Sequence, residues 1–419
     1  MPNKNSISTI NPIIRQHSNN AIFYYKIINE SRFSLLINKY KLNHFNALLN
    51  ANIDGLLCAK KQGIKESLSS LRRWKGYEES FIYTIIFNRN YEIQKINDFW
   101  IMIKELGINT LKGAVDALPF LGIKNHDEFL CLIRELDEIS FIYSSLKLNQ
   151  IHAKKIKSND IIDYLNHSSK EIKIALCHYI KNTNSKYLTD ELWYLFNNQC
   201  DLEVKYSALD SLCWISHEHE RINIELTKLL FLFLEGNSAN VTKIELHDEY
   251  IENIIRLIAY TSKDNSNINL NTSIPDYLKI IFYSNSGFSD GLPYLIDYLN
   301  TPYLSKLAFK GICLIGGIDI NNPKYTNSIV NTEIEPPINN RLIFLSSGVN
   351  EVNKSTIEKK IKSINLKGRL LKGMNINENN CKEILKNGYQ IERHISSWYL
   401  SNFIEDFGYK DTCHFNRYN

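Results

Sequence analysis

Residues 201–217, Asp-Leu-Glu-Val-Lys-Tyr-Ser-Ala-Leu-Asp-Ser-Leu-Cys-Trp-Ile-Ser-His, decide how the rest of the chain is read. At about 100° per residue, Val204, Ala208, Leu212 and Ile215 fall on one stripe of a helix, while Glu203, Tyr206, Asp210 and His217 point the other way. Asp201 stands at the N-cap, where its carboxylate can accept from the first free amide groups. Ala208 is small and in mid-stripe, so a neighbouring helix can come close. A helix with a single apolar stripe is not stable alone, and this one needs partners.

The pattern recurs. Ile172, Leu176 and Ile180 repeat the positions of Val204, Ala208 and Leu212 thirty-two residues earlier, and Leu304, Ala308, Ile312 and Ile315 repeat all four one hundred residues later. Both offsets suit stacked helical hairpins with a period of a little over thirty residues, which is the mark of an α-solenoid. An irregular helical bundle is the alternative that the same stripes allow. No strand-like alternation persists for more than a few residues, so the chain reads as all-α.

Composition limits the partners. A chain of 419 residues with 44% hydrophobic residues can bury a large core. Its 49 Lys and Arg against 45 Asp and Glu leave a formal charge of only +4, too evenly mixed to point to nucleic acid. The eight cysteines include no Cys-x-x-Cys pair and several sit in apolar stripes, which suits reduced thiols in a cytosolic protein. The N-terminus lacks the apolar region of a signal peptide, and the apolar run at 229–234 is too short to span a bilayer, so no membrane insertion is expected.

Taken in order, residues from Pro12 to about Lys60 read as two long helices, with Gly63 placed as a helix stop. Helical text continues through residues 99–145 and ends one helix at the Pro- and Gly-containing turn 113–122. The divisions expected are a helical N-terminal region at 1–150, repeats at 151–320 broken by a polar loop at 263–273, an irregular connector at 321–365 and a helical cap at 366–419. Pro323, Pro336 and Pro337 argue for the connector. In the cap, Asn377 and Gly388 bracket one helix, and Ile391, Ile395 and Trp398 form the stripe of the last.

Three motifs carry a resemblance. Asp54-Gly55-Leu56 is followed by Ala59 and Gly63; Tyr77-Glu78-Glu79-Ser80-Phe81-Ile82-Tyr83 opens a later helix; and Gly368-Arg369, Gly373, Leu385, Gly388, Gln390 and Arg393 form a closing pattern. Together they resemble a family of bacterial proteins with HEAT-like repeats and unassigned biochemistry, often encoded near type VI secretion genes. The likeness runs along nearly the whole chain. Relatives follow the closing pattern with an Ala-rich helix, where this chain has Ile395, Ser396, Ser397 and Trp398. The resemblance implies a HEAT-like α-solenoid acting as an accessory or immunity protein for a secreted toxin.

Several clusters imitate catalytic sites. His217-Glu218-His219-Glu220 offers metal-ligating groups, but its two histidines stand two apart, on different helix faces, and a solvated helix end explains them better. His219, His247-Asp248 and then Asp290 or Asp297 follow the order of helical metal phosphohydrolases, and His126-Asp127 is a pair without companions. Gly287-Phe288-Ser289-Asp290-Gly291 fits a nucleophile elbow, which needs a parallel sheet that the chain lacks, so it reads as a loop.

The expectation is a non-enzymatic scaffold without cofactor or metal that binds a protein through the polar faces of its repeats. Glu203, Tyr206 and Asp210 would stand beside Ile174 and His178 at an aromatic and acidic end, with Lys306 and Lys310 at a basic end. The alternative is an enzyme on the same helices, either a metal phosphohydrolase or a HEAT-type nucleic-acid glycosylase, the latter needing a strongly basic groove.

Overall fold

The computed structural model describes residues 10–90, 96–121, 138–151, 154–236, 244–265, 274–326, 340–363 and 367–413, with isolated helical positions at 130 and 134. Its helices are Asn11–Glu30 (α1), Lys39–Cys58 (α2), Lys61–Trp74 (α3), Tyr77–Asn90 (α4), Ile96–Leu106 (α5), Ile108–Ala117 (α6), Glu138–Ile151 (α7), Ser158–Leu165 (α8), Lys170–Asn182 (α9) and Thr189–Asn198 (α10). They continue with Leu202–Ile215 (α11), His219–Gly236 (α12), Ile244–Thr261 (α13), Asp276–Ser286 (α14), Leu292–Tyr298 (α15), Ser305–Gly316 (α16), Asn340–Ser346 (α17) and Lys354–Ser363 (α18). A two-stranded hairpin of Leu370–Leu371 (β1) and Met374–Asn375 (β2) precedes Glu378–Asn387 (α19) and Gln390–Phe403 (α20). Among the described residues the regular structure is helical apart from that hairpin, as the stripes require.

Two compact units divide the described residues, one drawn from 1–32, 39–179 and 411–419 and the other from 33–38 and 180–410. In the first, Tyr25 stacks on Phe81 with ring centres 3.7 Å apart, and Tyr77 donates to the Asp116 carboxylate, which also holds Lys147 at 2.8 Å. Gly63 is not a helix stop: α2 already ends at Cys58, and Gly63 lies buried in the first turn of α3. Its role is close approach, because a Cβ there would stand 2.0 Å from the Leu56 carbonyl oxygen.

In the second unit consecutive helices pack on one another from α10 to α14, and α16 takes α14 and α15 as neighbours. Asp201 caps α11 by accepting from the amides of Glu203 (2.9 Å) and Val204 (3.2 Å). Its stripe residues are buried, and so are Leu209, Cys213 and Trp214, because α10, α12, α13 and α20 all pack against the helix. Only Glu203, Lys205, Tyr206 and Asp210 of its polar edge, with Leu202, stay half-exposed. His217 lies beyond the helix end, exposed.

The closing motif ties three helix ends together. Lys372 (φ 55°) and Gly373 (φ 72°) form the two central residues of the hairpin turn, both left-handed as a type I′ turn demands. Their amides donate to Leu314 (2.7 Å) and Ile315 (2.8 Å), satisfying carbonyls at the end of α16. The Arg369 guanidinium donates to Ser286 at 2.7 Å, Ser262 at 3.2 Å, Ala259 at 2.7 Å and Tyr260 at 3.0 Å, which are the last carbonyls of α14 and α13. A cation at two helix C-termini also matches their dipoles. Arg393 donates to the Leu385 carbonyl (3.0 Å) near the end of α19, whose N-cap is Asn377, accepting from Asn380 at 2.9 Å. The segment 321–365 contains α17 and α18 where an irregular connector was expected, and Pro336 and Pro337 lie outside the described residues.

Among the described residues no helix is long and apolar enough to cross a membrane. The seven cysteines described there form no disulfide.

Candidate functional site

A cleft of about 860 Å³ opens within the second unit, at the N-terminal end of α12. Where α11 ends, the Ser216 hydroxyl accepts from the Glu218 amide (3.2 Å) and turns the chain into α12, so His219, Glu220 and Arg221 occupy the first turn. Helix α20 brings Trp398, Tyr399, Asn402 and Phe403 to the cleft, and the end of α13 brings Tyr260. The Trp398 indole donates to the Cys213 carbonyl (3.1 Å), and its ring centre lies 5.5 Å from those of Tyr260 and His219. These rings are the floor.

His219 is fixed by a chain of donors. Asn402 gives its amide hydrogen to the Trp398 carbonyl (2.8 Å), which turns its Oδ1 toward His219 Nε2 at 2.7 Å. Nε2 therefore carries the proton, and the buried Nδ1 is left as an acceptor with no hydrogen-bond partner in the structure. Burial pushes the His219 pKa below the ordinary histidine value, outweighing the Asn402 hydrogen bond that raises it, with smaller lowering contributions from His217 and Arg369.

The rim is charged and internally neutralised. Glu218 meets Arg221 at 2.9 Å, Glu220 meets Lys263 at 2.7 Å, and Glu225 meets Lys228 at 2.8 Å. Arg221 also lies over the Trp193 ring, 3.7 Å from its centre. Between rim and floor, Ile224 and Phe403 are 51% and 45% exposed. Aromatic floor, exposed apolar walls and a ring of satisfied charges suit an apolar side chain carrying one hydrogen-bond donor.

The metal-like cluster is spread out. The rings of His217 and His219 are 6.5 Å apart and perpendicular, and among the described residues no three His, Cys, Asp or Glu side chains gather as metal ligands do. His247 sits on α13, its side chain outside what is described, while Asp290 accepts from Asn265 at 2.5 Å; His126-Asp127 lies outside the described residues.

The residues expected to bind a partner fall into two groups. Glu203 accepts a hydrogen bond from Tyr250 on α13, and Tyr206 stands edge-on to the same ring at 5.0 Å. Asp210 was read as a solvent-facing contact, but it is half-buried and holds the ammonium of buried Lys181 at 2.6 Å. His178 is exposed and belongs to the other compact unit. At the basic end, Lys306 meets Glu351 at 2.9 Å, and Lys310 donates to the carbonyls of Leu345 (2.6 Å) and Ser347 (2.9 Å). The polar side of α16 is thus already covered by residues 345–351 of the chain itself.

Trp398 and Asn402 were missed as site residues. Asn402 meets His219 from 183 residues away, a pairing that no local period encodes; the only signals were the flagged histidine and the apolar stripe of the last helix. No family profile, no curated protein and no solved structure matches this chain.

Proposed function

We propose that the protein is a non-enzymatic binding scaffold, its repeats arranged as a HEAT-like solenoid, and that it binds and neutralises a secreted bacterial toxin encoded beside it. The observation that carries the binding role is the cleft between α12, α13 and α20. Trp398, Tyr260 and Tyr399 offer a preformed aromatic floor, and Ile224 and Phe403 leave apolar surface exposed at its mouth. The rim pairs Glu218–Arg221 and Glu220–Lys263 satisfy each other's charges, so such a socket needs no charged partner. The toxin as partner rests on the family resemblance of the three motifs.

The test is co-expression with the product of the neighbouring toxin gene. The parent should protect the cell and bind with nanomolar affinity, about −12 kcal/mol. Ile224→Asp with Phe403→Ala should weaken binding by roughly a hundredfold or more, the scale of a lost anchor, with an unchanged helical spectrum and melting temperature. Undiminished protection by that variant would remove the cleft from the account. A parent that neither binds nor protects would end the immunity reading. Bound metal or phosphodiesterase activity in the purified protein would favour the helical phosphohydrolase instead.

A further inference from the structure

The polar faces of α13 and α16 hold a segment of the chain in a way that describes a binding groove. Glu252 on α13 is 0% exposed, yet its carboxylate takes two guanidinium groups. One is Arg256 on its own helix, at 3.3 Å. The other is Arg341 of α17, which donates through Nε at 2.6 Å and through a terminal nitrogen at 2.9 Å in a two-pronged grip. At the other end of the segment, Lys310 of α16 holds the carbonyls of Leu345 and Ser347, and Lys306 holds Glu351. Asp248 and Glu249 add negative charge around Arg341, so the groove is acidic over α13 and basic over α16.

Two features separate this contact from ordinary core packing. No residue from Arg341 to Asn350 is fully buried; Leu342, Leu345 and Val349 are half-buried while Ile343 and Phe344 are exposed, so the segment adds little to the core and its polar clamps carry much of the hold. Glu252 keeps Arg256 when Arg341 leaves, so release does not strand an unpaired buried carboxylate, the event that makes most buried ion pairs hard to open.

We propose that residues 340–351 are a resident occupant of a peptide-binding groove on α13 and α16, exchangeable for a partner segment of the same chemistry. That chemistry is an arginine for Glu252, a short helix whose last carbonyls reach Lys310, and a carboxylate ten residues after the arginine for Lys306. This surface is separate from the aromatic cleft and does not depend on it.

The probe is a fluorescein-labelled synthetic peptide with the sequence of residues 340–352, titrated against the full chain by anisotropy. Arg341→Ala with Glu351→Ala should bind it at least tenfold more tightly than the parent, whose groove is filled. Glu351→Ala alone removes only a half-exposed pair, leaves the fold intact and should give an intermediate gain. A peptide carrying Arg341→Ala should lose at least tenfold in affinity for the double variant. The proposal is overturned if neither variant binds the peptide saturably at millimolar concentration, if parent and variants bind it equally, or if the arginine-free peptide binds as well. Ile224→Asp in the cleft should leave these affinities unchanged, and a loss there would place the peptide in the cleft and likewise overturn the groove.

Discussion

Asp210 shows how far a single position can be read from periodicity. The helix phase put it on the polar edge of α11, and it is there; what faces it is buried Lys181, whose ammonium also stands 4.6 Å from the Tyr409 ring centre. A lysine 181 and an aspartate 210 share no local pattern, since their meeting depends on how α9 and α11 pack. Asp210→Ala should therefore cost about 3 kcal/mol, because it strands a buried ammonium. Adding Lys181→Met should recover most of that loss. Chemical unfolding of both single variants and the double variant closes the cycle, and a double variant no more stable than Asp210→Ala would mean that the pair is not the source. Glu203 and Tyr206 tell the same story more mildly: their helix face was legible, whereas Tyr250 as their shared neighbour was not.

At the scale of elements, stripes located the helices well and missed the devices that join them. Periodicity cannot announce that Gly368-Arg369 and the Lys372-Gly373 turn close the ends of α13, α14 and α16, since the signal is two glycines and a charge. Arg369→Met should remove four carbonyl bonds and cost roughly 3 kcal/mol or more, hydrogen bonds to a charged donor being the strong kind. Hydrogen exchange should then accelerate in the last turns of α13 and α14 and not at the start of α11. Arg369→Lys should recover less than half, as one ammonium cannot span four carbonyls. The α16 face makes a pH prediction. Burial under residues 345–351 pushes Lys310 down to about 8 from an ordinary 10.5, so between those values the unfolded chain binds the extra proton. Stability contributed by this site accordingly rises with pH above 8, by up to roughly 1 kcal/mol per unit. Relative to Lys310→Met, the parent should gain stability between pH 7.5 and 9.5; an unchanging difference would show that Lys310 titrates normally.

For the whole molecule, the decisive quantity is how its charges are spent. A net +4 on 419 residues leaves little excess, and Glu218, Glu220, Glu225, Glu252 and Glu351 each hold a cation of the chain. Long-range steering of a polyanion needs the opposite arrangement, a stripe of cations without local partners. Association through the aromatic cleft, as proposed, would instead draw on apolar burial, which ordinary salt hardly changes. The partner's affinity should therefore fall less than about threefold between 50 and 200 mM salt, whereas a nucleic-acid binder making some six phosphate contacts would lose on the order of a thousandfold over the same range. Titration of the proposed toxin partner at both salt concentrations, alongside single- and double-stranded DNA, separates the two. A steep salt slope would transfer the binding energy from the cleft to charge, and the glycosylase-like alternative would then be the reading to pursue.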